Sequence, residues 1–354
     1  MRVLIQPYYF WSGHYKEYTN SLHKNNTICI ASSFSDKSHN KINLKPLFVK
    51  YRKNILLFMF SRIFNSLNTI RYLNKYIFKN HLFHFVEFEP FSKIFYLSIN
   101  TLLRKKTLFT IHSTGISKSN NIINNLIKLI QRVFFIIALL FSNLSPCRFV
   151  VHNQFNKNFI KYFVLKGRVT VIPYPTDIPI KKKLYNKNNK ILVFGQFRED
   201  KGIIKILKKY DLTNFKIVFA GKFYDNQLLT YLKKFNNFKI INKFITEKQL
   251  ISIASQVNFF LIPYSSDYSG SAGPMKKGLA LGCPIIAPNT KVFYEIIGLN
   301  KLGYFLDGKI YSNLKKLKKK EYLKLSKKCL LYSKKNNWDN FLSKYKKVYK
   351  LFNY

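Results

Sequence analysis

The stretch Asp267-Tyr-Ser-Gly-Ser-Ala-Gly-Pro-Met-Lys-Lys-Gly-Leu-Ala-Leu-Gly-Cys-Pro-Ile-Ile-Ala287 decides the fold of this chain. It follows an apolar run, Val257 to Ile262, with the length and composition of a buried parallel strand. A loop rich in glycine and serine comes next, and then a short helical pattern that ends at Gly282. A second apolar run, Pro284 to Ala287, follows. This order of strand, helix and strand predicts a βαβ unit.

The glycine-rich loop of this unit predicts an anion site. We expect Gly270, Ser271 and Gly273 to lie just before the helix. Backbone N–H groups at a helix start have no partner within the helix, and the helix dipole is positive there. Since such a loop at the carboxyl end of a parallel strand is a natural place for a diphosphate, these residues are candidates to bind one. A plain strand-to-helix turn without a ligand is the alternative.

The rest of the chain alternates strands and helices in two series, which predicts parallel sheets. Helices are predicted from His14 to Leu22 and after a capping box formed by Thr246 and Gln249, whereas residues 41–80 give no clear pattern. Strands are predicted at Val3 to Ile5, Thr27 to Ala31, His84 to Val86, Leu108 to Ile111, Phe149 to Val151, Ile191 to Gly195, Lys216 to Ala220 and Phe238 to Ile241. We therefore expect an α/β protein of two Rossmann-like domains that face each other across a ligand-binding cleft.

The chain is strongly basic. Its 354 residues, enough for two domains, include 61 Lys and Arg against 15 Asp and Glu, a formal net charge of +46. Such a field favours anionic partners: nucleic acid, anionic lipid or phosphorylated substrates. Nucleic acid is not expected, because the basic residues are mostly lysine and are spread along the chain. The charge has two alternative origins: mutational drift in an AT-rich genome, or selection for binding to a negatively charged membrane surface.

One segment is apolar enough to raise the question of a membrane. Val133 to Phe141 is the most hydrophobic run, and its length is too short to span a bilayer. We expect a core helix there, because a strand pattern follows directly, with an interfacial helix as the alternative. The N-terminus shows no signal-peptide pattern, so we expect a cytoplasmic protein.

Four segments resemble one enzyme family. Ile191-Leu-Val-Phe-Gly-Gln-Phe-Arg-Glu-Asp-Lys-Gly202 is similar to the segment that opens the C-terminal domain of GT-B glycosyltransferases, especially those like family 4, and the Asp267–Ala287 stretch resembles their donor-binding loop and helix. Val169-Thr-Val-Ile-Pro-Tyr-Pro175 resembles their interdomain junction. Trp338, Phe341, Tyr345 and Tyr349 resemble the apolar face of their terminal helix, which crosses back to the first domain. The resemblance implies an N-terminal acceptor domain over 1–178, a nucleotide-sugar-binding domain over 190–320 and the crossing segment over 321–354.

The resemblance also implies donor-binding residues. In a transfer from a nucleotide sugar, negative charge develops on the leaving diphosphate, and cations and backbone amides stabilise it. Family 4 enzymes usually carry two glutamates in the donor loop, and the aligned positions here are Ser269 and Lys277. Lys277 is therefore expected to pair with a phosphate. The donor-binding candidates are Gly195, Arg198, Lys201, Gly270, Ser271, Gly273 and Lys277, and a solvated loop is the alternative for Arg198 and Lys201.

The candidates on the acceptor side follow predicted strands or a turn in the first half. His112 comes directly after a strand, where an imidazole can orient a sugar hydroxyl or act as a base near neutral pH. His14 follows the Gly13 turn, and Glu87 follows another strand and is a candidate general base if the reaction inverts. A structural histidine and an exposed carboxylate are the alternatives. No Asp-x-Asp motif and no metal-ligand cysteine spacing occurs, so we expect no metal and no other cofactor.

The expected function is transfer of a sugar from a nucleotide-diphosphate sugar to a glycan or polyprenyl-diphosphate-linked acceptor. We expect it in bacterial surface polysaccharide synthesis (O-antigen, capsule or lipopolysaccharide), by a protein held peripherally at the inner face of the cytoplasmic membrane through anionic lipid. A nucleotide-sugar epimerase of similar fold is one alternative. A non-enzymatic basic protein that binds nucleic acid or anionic membrane is the other.

Overall fold

The computed structural model describes residues 2–6, 14–23, 27–32, 41–44, 55–88, 90–114, 122–177, 179, 185, 190–198, 201–210, 212–264, 268, 270 and 272–352. The chain forms two compact units. Unit 1 comprises Met1–Pro173 with Leu342–Tyr354, and unit 2 comprises Tyr174–Phe341.

In its described residues, unit 1 contains one sheet of seven parallel strands in the order β3-β2-β1-β4-β5-β6-β7. Helices connect most successive strands, as parallel pairing requires. The elements are β1 Arg2–Gln6, α1 His14–Leu22, β2 Thr27–Ser32, β3 Lys41–Leu44, α2 Ile55–Ile77, β4 Leu82–Phe85, α3 Pro90–Leu103, β5 Thr107–Ile111, α4 Ile122–Phe141, β6 Cys147–Val151, α5 Gln154–Ile160 and β7 Val169–Val171.

In the described part of unit 2, six parallel strands form a second sheet in the order β10-β9-β8-β11-β12-β13. The elements are β8 Ile191–Phe194, α6 Ile203–Lys209, β9 Ile217–Ala220, α7 Asn226–Leu232, β10 Phe238–Ile241, α8 Glu247–Ser255, β11 Phe259–Leu261, α9 Gly273–Ala280, β12 Ile285–Ala287, α10 Lys291–Phe293, β13 Gly303–Phe305, α11 Ile310–Lys316 and α12 Lys319–Lys335. The last helix, α13 Trp338–Lys350, begins in unit 2 and belongs to unit 1 from Leu342 onward. Each sheet shows the strand order of a Rossmann fold, in which the order reverses at a central switch point.

The strands form where the sequence is apolar on both faces. In β8, Ile191 and Val193 join the core on one face of the sheet, and Leu192 joins the core on the other. A strand covered by helices on both sides has to be apolar at consecutive positions, which is why these runs are continuous rather than alternating. The predicted capping box at Thr246 is confirmed, since its hydroxyl accepts from the Gln249 amide and the Gln249 side chain accepts in return.

Two parts of the chain differ from the sequence-based expectation. Residues 41–80 contain β3 and the long helix α2, which the abundance of lysine, asparagine and aromatic residues concealed. The division between units also differs from the predicted bounds, because residues 174–177 and 321–341 lie in unit 2. Tyr322 and Cys329 of α12 are buried in the cores of unit 2, and only the residues from Leu342 onward belong to unit 1.

Helix α4 is longer and more exposed than a core helix. Ile127, Ala138 and Leu139 are buried, but a second apolar face lies open to solvent. The exposed residues of that face are Leu126, Leu129, Ile130, Val133, Leu140 and Phe141. By length and composition the segment Asn125–Leu144 is able to cross a bilayer, with 24% of it buried inside the protein, although core helices of soluble proteins pass the same test. Helix α4 thus contributes one face to the core, leaves the other exposed, and is longer than the run Val133 to Phe141 from which it was predicted.

Candidate functional site

The candidate donor site lies in unit 2, where the strand order reverses between β8 and β11. Gly195 ends β8 and Gly221 ends the neighbouring β9, both with positive φ, +122° and +149°. The two backbones approach so closely that a Cβ on Gly221 would overlap the Gly195 carbonyl oxygen. A Cβ on Gly195 would lie 3.1 Å from the side chain of Pro274 at the start of α9. The two strand ends therefore carry no side chains of their own where they meet the start of α9, as close approach to a ligand requires.

The helix after the glycine-rich loop begins one residue earlier than predicted. Ala272 is the N-cap, so Gly273 is the first residue of α9 and not part of the preceding loop. Pro274, in the first turn, has no amide hydrogen, which leaves the amides of Gly273 and Met275 at the tip of the helix. Gly270 is buried against Tyr268, and Ser271 lies outside the described residues.

Lys201 lies across the end of β8. Its ammonium donates to the carbonyl oxygen of Gln196 at 2.6 Å, and it stands 4.8 Å from the centre of the Tyr264 ring, which follows β11. The lysine thus spans the switch point between these two strands. Arg198, by contrast, is exposed on the same loop.

Lys277 is engaged within unit 2. Its Nζ lies 2.6 Å from a carboxylate oxygen of Asp177 and 3.5 Å from one of Glu247, the first residue of α8. The neighbouring Lys276 is buried, with its ammonium against the Tyr174 ring. Consecutive lysines of α9 therefore hold the segment that opens unit 2. The Lys277 ammonium is thus already paired with carboxylates at both distances.

His112 belongs to a chain of hydrogen bonds along the carboxyl edge of the unit 1 sheet. It directly follows β5, and His152 directly follows the adjacent β6. Nε2 of His112 donates to the carbonyl oxygen of Val86 at 2.9 Å, and Nδ1 of His152 donates to that of Ile172 at 2.9 Å. The remaining nitrogens, Nδ1 of His112 and Nε2 of His152, are 3.1 Å apart. Both ring nitrogens of His112 are thus engaged within the protein.

A second polar network joins α13 to the same sheet. His84 of β4 contacts the Tyr349 hydroxyl through Nδ1 and the Thr110 hydroxyl through Nε2, each at 2.9 Å. The Tyr345 hydroxyl lies 2.8 Å from that of Thr110 and 2.5 Å from that of Tyr18. Burial, with smaller contributions from Arg2 and His112, lowers the pKa of His84 from 6.5 to about 3. His84 is therefore neutral, and burial likewise raises the pKa of both α13 tyrosines.

The remaining acceptor-side candidates are placed less completely. Glu87 is half-buried just beyond β4, next to Val86 in the chain. His14 is the first residue of α1, and its side chain lies outside what the structure describes. Among the described residues, no three His, Cys, Asp or Glu side chains form a metal-binding group.

The sequence alone assigned no role to two residues of these sites. Gly221 follows β9 as Gly195 follows β8, so an Ala-Gly pair at a strand end was the available signal. His152 follows β6 as His112 follows β5, and adjacent parallel strands bring such positions together. The asparagine after His152, the N-cap of α5, marks the same strand-to-helix turn.

Solved structures share this architecture over the whole chain, whereas no protein-family model and no curated protein sequence matches it. HepE of Anabaena, in complex with UDP, has a TM-score of 0.68 and 10% identity over 99% of this chain and 100% of that one. The trehalose-6-phosphate synthase OtsA has a TM-score of 0.67 and 9% identity over 99% of each chain. WaaG, a glycosyltransferase involved in lipopolysaccharide biosynthesis, has a TM-score of 0.61 and 9% identity over 98% of this chain and 99% of that one.

These neighbours are GT-B glycosyltransferases. The likeness extends over both units, and it confirms the expected α/β architecture of two Rossmann-like domains. The chain has the GT-B fold.

Proposed function

We propose that this protein is a glycosyltransferase that takes its sugar from a nucleoside-diphosphate sugar held by unit 2. The observation that carries the proposal is the junction of Gly195, Gly221 and the start of α9, where two glycines keep the strand ends at the switch point free of their own side chains. Ligands of open parallel sheets bind at such a point, and a helix start favours the anionic diphosphate. HepE, which has the same fold, was solved with UDP.

Lys201 is the proposed cation for the leaving diphosphate, because its ammonium lies between Gln196 after β8 and Tyr264 after β11. Arg198, exposed on the same loop, is a second contact, and Ser271 and the amides of Gly270 and Gly273 complete the site. Lys277 contributes by exchanging Asp177 for a phosphate. On the acceptor side we assign His112 first, with His14 and Glu87 as the other candidates. The proposed reaction needs no metal ion.

The proposed acceptor is a glycan or a polyprenyl-diphosphate-linked saccharide in bacterial surface polysaccharide synthesis, reached from the cytoplasmic side of the membrane. Two exposed apolar rows in unit 1 support membrane attachment. One is the open face of α4, and the other lies on α2, where exposed positions recur every three or four residues at Leu57, Phe60, Phe64 and Leu67. Helix α3 packs against both α2 and α4. With a net charge of +46, an anionic lipid surface is the matching partner.

The donor proposal is tested by thermal shift with UDP, GDP, CMP and ADP and the corresponding sugar nucleotides. A ligand at one hundred times its Kd stabilises the folded state by about 2.7 kcal/mol, which is readily measured. Lys201→Ala is expected to weaken binding of the stabilising nucleotide about tenfold, the loss of one charge-assisted hydrogen bond. Lys216→Ala is the matched control, because Lys216 is an exposed lysine that precedes β9, at the opposite edge of the sheet. No stabilisation by any nucleotide would refute the proposal.

The reaction and the membrane contact need separate assays. Incubation with the stabilising sugar nucleotide and lipid-linked acceptors should yield a glycosylated acceptor. An epimerised free sugar nucleotide would indicate the epimerase alternative.

For the membrane, the double variant Leu126→Gln with Leu129→Gln is expected to reduce cosedimentation of the protein with phosphatidylglycerol vesicles. The control is Leu299→Gln with Leu331→Gln, two exposed leucines of unit 2. Equal cosedimentation of the two double variants would exclude α4 as the contact.

A further inference from the structure

A pocket opens at the amino edge of the unit 1 sheet, the edge opposite His112 and His152. Its volume is about 380 Å³, and its lining includes residues that directly precede three adjacent strands: Lys106 before β5, Pro146 before β6 and Arg168 before β7. This volume is in the range of sites for small molecules. Since β5 and β6 each have five residues, and five residues of a strand span about 17 Å, the pocket is separate from the acceptor-side candidates.

The lining of this pocket is cationic. It includes Arg104, Lys106 and Arg168, and none of its lining residues in the described part of the chain is an aspartate or a glutamate. Arg104 is exposed, and its guanidinium makes no hydrogen bond or ion pair within the described structure. Positive charges gathered in one pocket without a carboxylate favour an anionic ligand.

Arg168 is held in place by the protein. Its Nη1 donates to the carbonyl oxygens of Ser142 and Ser145, each at 2.7 Å, in the turn between α4 and β6. Both hydrogens of Nη1 are then used, whereas those on Nη2 and Nε have no acceptor among the described residues. A guanidinium presents such donors in a rigid plane that matches two oxygens of one phosphate. The pocket therefore offers one fixed arginine and one unpaired arginine to a phosphate group.

The same edge carries the most exposed large apolar side chains in the described part of unit 1. Phe78, Leu102 and Tyr162 are 81%, 84% and 77% exposed. Each lies at or just after the end of a helix and before the next strand. Leu144, also exposed, ends the apolar segment that begins at Asn125, and it lines the pocket itself. Leucine and aromatic side chains beside cations are typical of surfaces that lie between phospholipid headgroups and acyl chains.

We propose that this pocket binds the phosphate of an anionic phospholipid headgroup, with Arg104 and Arg168 on the phosphate and Leu144 toward the acyl chains. A soluble phosphate would use the arginines and gain nothing from Leu144, so a lipid is the ligand that fits the whole lining. The site is additional to the apolar faces of α2 and α4, which contact acyl chains and do not select a headgroup. Its role in glycosyl transfer rests on the proposed function, whereas lipid binding itself does not.

Isothermal titration calorimetry tests the pocket without a bilayer. The probe is dihexanoyl-phosphatidylglycerol below its critical micelle concentration, and we expect saturable binding to the whole chain. Dihexanoyl-phosphatidylcholine has the same acyl chains without net charge, and inorganic phosphate has no chains. Each is expected to bind about tenfold more weakly, because it lacks either the charge or the apolar part that the pocket matches. No binding of the phosphatidylglycerol, or equal affinity for either of the other two probes, would overturn the proposal.

Arg104→Gln is the deciding variant, because Arg104 bonds to no described residue and its replacement should leave the fold intact. It is expected to weaken binding of the phosphatidylglycerol about tenfold, through the loss of one charge-assisted interaction. The matched control is Lys166→Gln, which removes an exposed cation that lies two residues before Arg168 and does not line the pocket. This control should keep the affinity of the natural protein.

Unchanged binding by Arg104→Gln, or the same loss in both variants, would overturn the proposal, because attraction would then be diffuse or located elsewhere. Both variants are in unit 1, whereas nucleotide stabilisation reports on the candidate donor site of unit 2. Arg104→Gln should therefore keep the thermal shift with nucleotides, and failure of the lipid site is distinguishable from failure of the proposed function.

Discussion

Acidification is expected to weaken unit 1 through one buried histidine, His84. Its folded-state pKa of about 3 lies below the 6.5 of the unfolded chain, because burial disfavours the charged ring. The unfolded chain therefore binds the proton first. The stabilisation from neutral His84 is fully present above about pH 6.5 and is lost as the pH falls toward 3. Within that window, each pH unit of acidification lowers the free energy of unfolding by about 1.4 kcal/mol. Acidification from pH 7 to pH 4.5 therefore lowers it by about 2.7 kcal/mol, nearly all of it below pH 6.5.

The measurement is guanidinium denaturation followed by circular dichroism at pH 7.0 and pH 4.5, for the natural protein and for His84→Gln. The variant loses hydrogen bonds to Thr110 and Tyr349, so its absolute stability also falls. The informative quantity is the change between the two pH values, which is expected to be about 2.7 kcal/mol smaller in the variant. His81→Gln is the control, because His81 is only half-buried and burial lowers its pKa less completely. The same acid-induced loss in His84→Gln and the natural protein would refute the reasoning.

Three further substitutions test the packing of the two units. Gly221→Ala is expected to destabilise unit 2 by more than about 3 kcal/mol, because its Cβ would overlap the Gly195 carbonyl and its φ is +149°. Gly273→Ala is the control, since its Cβ would meet open space, and it should keep the melting temperature of the natural protein. Tyr345→Phe removes a hydroxyl that bonds two buried partners and should cost about 1–3 kcal/mol in chemical denaturation, whereas an unchanged midpoint would mean that the network adds nothing. Thr246→Ala breaks the capping box of α8 and should lower the free energy of unfolding by about 1 kcal/mol, measured as a lower denaturation midpoint. An unchanged midpoint would show that the cap does not stabilise the protein.

Much of the fold was predictable because its signals are local. The runs that became β8, β9, β11 and β12 are apolar on both faces, and helix-covered parallel strands have to be so. The helix from His14 to Leu22 has the predicted bounds, and the capping box at Thr246 depends on only four consecutive residues. Helix α2 was not predicted, since its basic and aromatic composition hid the spacing of its buried positions.

The candidate site was predictable only in part, because sequence gives the position of a side chain but not its partner. It placed glycines at the ends of strands and at the start of α9, where an anion is expected. It gave no sign that Lys277 is paired with Asp177, 100 positions away in the chain, or that α4 keeps an apolar face open. Such partners are fixed when distant segments pack, and the burial that results sets their charge.

The sequence by itself thus determined two parallel α/β domains and the strand ends at which we expect a ligand, since the apolar periodicities of strands and helices are local features of the sequence. Only the tertiary structure decided what the residues at those ends do. His112 and His152 lie 40 positions apart and become neighbours because β5 and β6 pair in register. The carbonyl oxygens that accept from them follow two more strands, β4 and β7, so four strand ends together fix the two rings.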